Sequence, residues 1–287
     1  MFMSGRVIDS HEHAWTFPNE YDWKSENTPP GVSMMVYTVE DVLADMEEHG
    51  IDQTTLVATP IHGRGSPYTR ECLREYPEKF YGIILLDYFA DDIEERVHDA
   101  LEQQNLLGVR FGAFLEYDSL WEVPNEEANW ITDDGLADFW EALETHDSPQ
   151  VQILLHPEQF DQVEEVIADH PEVTFVLDHL GWPTPGEHRA RGARYIKLAD
   201  ISEHSNAHVK VSHTPSIDPY PFHDIHEYVR YLVEQFGTDR LVWGSDYVYH
   251  FKETTYWESL HFLDELSFLS ETDRRRLRYR TFESLLP

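Results

Sequence analysis

Two histidines one residue apart, His11 and His13, follow the apolar pair Val7 and Ile8 near the start of the chain. In extended backbone, residues two apart point to the same side, so both imidazoles can converge on one point while Glu12 faces away. Convergent imidazoles at a strand end are half of a metal site. Taken alone, such a pair is equally an ordinary packing or solvated pair. Three further residues change its meaning. His156 follows the apolar run Ile153-Leu-Leu155, His179 follows Phe175-Val-Leu-Asp178, and Asp246 follows Trp243-Gly-Ser245. Imidazole and carboxylate are metal ligands and proton carriers near neutral pH, so together they point to metal-assisted or acid–base chemistry. His62, His146, His170 and His250 have ordinary surface or loop explanations.

The elements that must position these residues alternate along the chain. Strand-like apolar or β-branched runs are expected at 7–8, 54–59, 80–86, 108–111, 151–155, 173–177, 208–211 and 240–243. Helical spacing of apolar residues follows each, at 39–49, 67–76, 91–104, 135–146, 158–169, 189–204 and 222–236, and two C-terminal helices close the chain. The last of these opens with Ser270-x-x-Asp273, a capping-box pattern. Near-continuous apolar strands suit a parallel sheet buried on both faces. Eight such units without a break in composition predict an α/β fold, a (β/α)8 TIM barrel. It is expected as a single domain over residues 1–287, with a long loop after strand 4 (112–133) and an extra C-terminal helix. In such barrels the strand ends carry the chemistry, and all five candidate residues fall there.

Length and composition agree. The chain has 287 residues, of which 41% are hydrophobic, enough for one large core. There is no apolar run of the roughly 20 residues a membrane span needs, and no signal-peptide core at the start. The one cysteine, Cys72, excludes an intrachain disulfide. A cytoplasmic protein is expected. With 55 acidic against 21 basic residues, the formal charge is -34. That balance argues against nucleic acid and anionic membrane as partners. The acids are spread along the chain, which reads as a halophilic surface: at molar salt, screening over about 3 Å removes most like-charge repulsion. The basic run at 274–278 reads as helix-surface arginines paired with that acidic surface.

The chain resembles the amidohydrolase superfamily, in its amidohydrolase-2 branch, nearly end to end. The resemblance is carried by Ile8-Asp-Ser-His-Glu-His13 with Trp15 behind it, and by Thr38-Val-Glu-Asp-Val-Leu43 before Gly50-Ile51. It continues through Gly108-Val-Arg110, Leu177-Asp-His-Leu-Gly181 with Pro183, and Phe236-Gly-x-Asp-Arg-Leu241 before Trp243-Gly-Ser-Asp246. The Asp-His-Leu-Gly-x-Pro segment is similar to the sugar lactonases of that branch, which also contains dicarboxylate lactonases and non-oxidative decarboxylases. The resemblance implies one divalent metal ion held by His11, His13, His156 and Asp246, with His179 beside them, although some members work without metal. Three departures concern the substrate: Trp182 stands where Lys or Arg is usual, Tyr247-Val248 where Trp-Pro is frequent, and His213 where Gly is common after Ser212.

The expected function is therefore a metal-dependent hydrolase that opens a lactone. The metal polarises the carbonyl and acidifies water. Histidine ligands suit zinc or manganese better than magnesium or calcium. Asp246 is the natural general base and then the proton donor to the leaving alcohol, and His179 takes a catalytic part. Arg110 either clamps a substrate carboxylate or hydroxyl, or is a structural ion-pair partner. Trp15, Trp182 and Tyr247 are stacking surfaces of the pocket or core-edge aromatics, and His213 lies near the same pocket. No lysine ends strand 4, where some relatives carry a carbamylated bridging lysine, so a mononuclear site is expected. The alternative is non-oxidative decarboxylation of a small carboxylic acid, aromatic acids included, on the same scaffold. A binding protein that merely retains the barrel is a third reading, disfavoured by polar groups at all five positions. The partner is a small-molecule substrate, and homo-oligomerisation is open.

Overall fold

A computed structural model describes residues 5–16, 21, 36–113, 129–182, 193–212, 218–248 and 254–287. Its eight strands are β1 Ile8–Glu12, β2 Gln53–Val57, β3 Phe80–Ile84, β4 Leu106–Gly112, β5 Gln150–Leu154, β6 Thr174–Leu177, β7 Ala207–Ser212 and β8 Leu241–Gly244. All pair in parallel, in sequence order from β1 to β8. Parallel neighbours need a crossover, and a helix supplies each one. These are α1 Val39–His49, α2 Pro67–Glu75, α3 Ile93–Leu101, α4 Ala137–Glu144, α5 Phe160–Asp169, α6 Ala193–Ser202 and α7 His226–Phe236, with α8 Tyr256–Glu265 after β8. The expected (β/α)8 barrel is the observed architecture.

The ring of strands is joined differently at its seam. Between β1 and β8 the backbone bonds are at the C-terminal mouth, where Asp246 N–H donates to the His11 carbonyl (2.8 Å) and His13 N–H to the Tyr247 carbonyl (3.0 Å). Lower down, side chains bridge the seam: Ser10 Oγ donates to the Trp243 carbonyl (2.7 Å). His11 thus lies inside the first strand and His13 directly follows it, and both take part in closing the barrel.

Inside the barrel, Ile8, Val57, Ile83, Leu107, Val176 and Val242 form an apolar floor with Phe282 of the C-terminal segment. That segment runs as α9 Glu271–Arg275, a π turn Arg276–Arg280 and α10 Thr281–Glu283. Its capping box is formed: Ser270 Oγ accepts from Asp273 N–H and Asp273 Oδ2 from Ser270 N–H. Its arginines meet acids and carbonyls, with Arg275 on Glu271 (3.2 Å) and Arg278 on Asp264 (2.8 Å). The larger core lies between strands and helices. Of the loop after β4, residues 114–128 lie outside the described residues. Among the described residues no helix is long and apolar enough to cross a membrane.

Candidate active site

One extra residue in β1 aims the histidines. Ile8 pairs with Gln53, Asp9 with Thr54, and Glu12 with Leu56, so three steps on β1 oppose two on β2. This is a bulge. Strict alternation would send Ile8 and His11 to opposite faces, whereas Ile8 packs in the barrel floor and His11 also points inward. The Asp9 carboxylate holds the bulge. Its Oδ1 accepts the N–H of His11 (3.0 Å) and of Ser245 (2.9 Å), and its Oδ2 accepts the Tyr256 hydroxyl (2.7 Å). One buried carboxylate therefore ties the end of β1 to the turn after β8.

At the mouth, His11 Nε2 lies 3.1 Å from His13 Nε2, His13 Nε2 lies 3.2 Å from Asp246 Oδ1, and His11 Nε2 lies 3.5 Å from the same oxygen. Donor atoms around a tetrahedral ion with bonds of about 2.0–2.1 Å stand roughly 3.3 Å apart, so this triangle fits such an ion. His13 Nδ1–H donates to the Val57 carbonyl (2.7 Å), which leaves its Nε2 lone pair facing the triangle. Asp246 adopts a left-handed backbone conformation (φ 55°), the local strain that turns its carboxylate back over the barrel.

His179 approaches from β6. Its Nδ1 is 2.7 Å from Ser212 Oγ and 3.7 Å from Asp246 Oδ2. It opens a turn in which His179, Leu180, Gly181 and Trp182 all have positive φ. Burial pushes the pKa of His11, His13 and His179 below the ordinary histidine value, His179 to about 4. With pKa lowered from the ordinary value by burial, all three favour the neutral ring, the form in which an imidazole nitrogen can ligate a metal ion.

Beneath the histidines lies a polar layer of which sequence reasoning singled out only Arg110. Lys210 of β7 is fully buried, with Nζ 2.8 Å from His11 Nδ1 and 3.1 Å from Asp178 Oδ1, and it also donates to Gln152 Oε1. Arg110 Nε donates to Asp178 Oδ2 (2.9 Å). Burial alone would raise the Asp178 pKa, but Lys210, Arg110 and His11 hold it well below the carboxylate range. Burial lowers Lys210 to about 8. A signal for Lys210 was present: a charge in the middle of the strand-like run 208–211 must be paired if that strand is buried.

The other candidate residues separate. His156 caps the turn Pro157–Gln159, half-buried, its ring accepting from Glu158 N–H (3.4 Å). It stands outside both buried groups whose ligand atoms lie within 4.8 Å of one another, namely His11, His13, Asp246 and His11, Asp178, His179. Strand β5 ends at Leu154, so His156 has already left the sheet when it reaches the mouth. Arg110 realises the ion-pair alternative. Trp15 has 0% exposure and packs in the core, its backbone paired with Tyr37, so it presents no surface to a pocket. Trp182 packs on Leu154 and edge-on to His179 (5.5 Å). Tyr247 is half-buried between Tyr37 and Tyr256. His213 lies outside the described residues.

The amidohydrolase family model matches residues 8–284. The chain belongs to the amidohydrolase family. Among relatives of this amidohydrolase, L-fucono-1,5-lactonase of Burkholderia ambifaria is 21% identical over 245 residues, covering 84% of this chain and 79% of the relative. An amidohydrolase of Burkholderia multivorans, crystallised with bound zinc, superposes with a TM-score of 0.80 at 22% identity, covering 99% of this chain and 100% of the other. A probable 2-pyrone-4,6-dicarboxylic acid hydrolase of Acinetobacter baumannii, with citric acid bound, gives 0.73 at 19% identity over 98% and 99% of the two chains. At these identities the structural likeness carries the fold.

Proposed function

We propose that this amidohydrolase opens a lactone to a hydroxy acid. The observation that carries the reading is the placement of Asp246. Its carboxylate lies at the barrel mouth against three imidazoles, two of them close enough to share an ion with it. The L-fucono-1,5-lactonase relative supports the same choice of substrate class.

His11, His13 and Asp246 would hold one divalent ion, zinc or manganese, which as a Lewis acid would polarise the carbonyl. Asp246 takes a proton from the attacking water, whose oxygen bonds to the carbonyl carbon. The ring C–O bond then breaks, and Asp246 returns the proton to the departing alkoxide. His179, fixed by Ser212, hydrogen-bonds the oxygen on which negative charge develops. Trp182 packs edge-on against His179.

The test is a screen of aldonolactones and small aromatic carboxylic acids, reading proton release and carbon dioxide separately, together with metal analysis of protein purified without chelator. Acid release from a lactone is expected. Carbon dioxide alone would replace this reading with decarboxylation. Full activity with less than roughly a tenth of an equivalent of transition metal would remove the ion from it.

A further inference from the structure

We infer that a sodium ion binds between strand β1 and helix α1, on the oxygens of Glu12, Thr54, Tyr37 and Asp45. This site is separate from the one proposed at the mouth. Glu12 follows His11 in the strand, and successive side chains point to opposite faces, so its carboxylate turns outward, toward Tyr37 and Asp45.

The polar atoms there do not pair off. Glu12 and Thr54 have 0% exposure, Tyr37 is buried, and Asp45 on α1 is half-buried. The Tyr37 hydroxyl lies 3.2 Å from Glu12 Oε1 and also contacts Asp45 Oδ2. A hydroxyl has one proton and can donate to only one of the two. Asp45 makes the closer contact and takes it. Glu12 Oε1 then faces the Tyr37 oxygen, acceptor against acceptor. The other oxygen, Glu12 Oε2, has no hydrogen-bond partner among the described residues, and neither has the Thr54 hydroxyl beside it. Asp9, the next carboxylate, is already met by the N–H groups of His11 and Ser245 and by the Tyr256 hydroxyl. No lysine or arginine among the described residues forms an ion pair with Glu12 or Asp45.

Buried oxygens left without partners are costly. A proton on Glu12 Oε1 would repair the Tyr37 contact alone and leave Glu12 Oε2 and Thr54 Oγ1 unpaired. A cation repairs all three, because it draws on lone pairs of both carboxylate oxygens and both hydroxyls. Oxygen donors select a hard ion rather than zinc. Adjacent oxygens around a hard ion with bonds of about 2.3–2.6 Å stand roughly 3.2–3.7 Å apart, which the 3.2 Å between Tyr37 and Glu12 matches. Sodium and calcium have that size, and potassium is larger. Calcium takes about six to eight oxygens. A dry pocket of four side chains suits the singly charged ion, which gives up its water at lower cost. Of the four, Asp45 is the one that meets solvent, so the ion enters from its side. Bound there, it ties α1 to β1 and β2, and the stability of the fold depends on which cation is in solution as well as on ionic strength.

The experiment is thermal melting of the full-length wild type, Glu12→Gln and Thr54→Val in the chlorides of sodium, potassium and tetramethylammonium at one ionic strength, which holds screening constant. The wild type is expected to melt at least about 2 °C higher in sodium than in either other salt. That increment should vanish in Glu12→Gln and shrink in Thr54→Val. Equal melting temperatures in the three salts, or an undiminished sodium increment in Glu12→Gln, overturn the inference. A Glu12→Gln protein more stable than wild type by the same amount in every salt means that a proton holds the carboxyl, and overturns it as well. If neither variant folds, a crystal structure of the wild type grown from sodium chloride decides. Density with oxygen contacts of about 2.3–2.6 Å on Glu12 Oε2 and Thr54 Oγ1 is expected. Density at the hydrogen-bond distance of about 2.8 Å is water and overturns the inference.

Discussion

Gly244 lies directly against His11: a Cβ at position 244 would stand 2.7 Å from His11 Cβ and 3.1 Å from its backbone nitrogen. The glycine before Ser-Asp246 is therefore what lets β8 approach the histidine pair closely enough to close the barrel. In Gly244→Ala the new methyl group must push β1 and β8 apart where His11 and Asp246 meet. We expect a loss of about 1–3 kcal/mol in stability, the usual range for overpacking, together with at least tenfold lower turnover. Urea unfolding and steady-state kinetics on the same preparation check both.

Asp9 holds the bulge that turns His11 inward. In Asp9→Ala the buried N–H groups of His11 and Ser245 lose their acceptor, and we expect roughly 2–6 kcal/mol of destabilisation, since each stranded donor costs about 1–3 kcal/mol. Tyr256→Phe removes only one of the three bonds to Asp9 and should lower stability by about 1 kcal/mol. Chemical denaturation of the two variants side by side gives the ranking, and equal effects would contradict the role assigned to the bulge.

Asp246→Asn keeps the shape of the side chain and removes its capacity to accept a proton. Turnover should fall at least about a hundredfold, the lower range for a general acid–base group. The measurement is the rate at saturating lactone, with circular dichroism to verify the fold. Unchanged turnover would mean that another group takes the proton from water.

His208 lies at the lower end of the same inward face of β7 as Lys210, with its Nδ1 lacking a hydrogen-bond partner among the described residues. Burial lowers its pKa to about 4. The folded chain therefore favours the neutral ring, and the unfolded chain binds the extra proton between about pH 6.5 and 4. The contribution is fully present above pH 6.5 and is lost as pH falls through that window, by about 2 kcal/mol at pH 5. His208→Gln should shrink the difference in unfolding free energy between pH 7 and pH 5 by that amount.

The formal charge of -34 makes salt a stability variable. Raising KCl from millimolar to molar should raise the melting temperature, because the Debye length falls to about 3 Å and repulsion among the spread acids is screened. A melting temperature independent of KCl would remove the halophilic reading of this surface.

Periodicity and residue type determined much of this protein before any coordinates. Eight apolar or β-branched runs alternating with amphipathic ones admit few architectures besides the barrel, because a parallel strand pair requires a covering crossover. The same logic placed His11, His13, His179 and Asp246 at one end, since consecutive parallel strands all finish on the same side. Tertiary structure decided the rest. The bulge at Asp9 depends on bonds to Ser245 and Tyr256, 236 and 247 residues away, and no local pattern encodes such partners. His156 and Trp15 looked alike in sequence to residues that line the mouth, yet one leaves the sheet early and the other turns into the core. Lys210, Asp178 and Gln152 meet only because β5, β6 and β7 are curved around a common axis. Closure of the sheet, not any single strand, brings these side chains beneath His11.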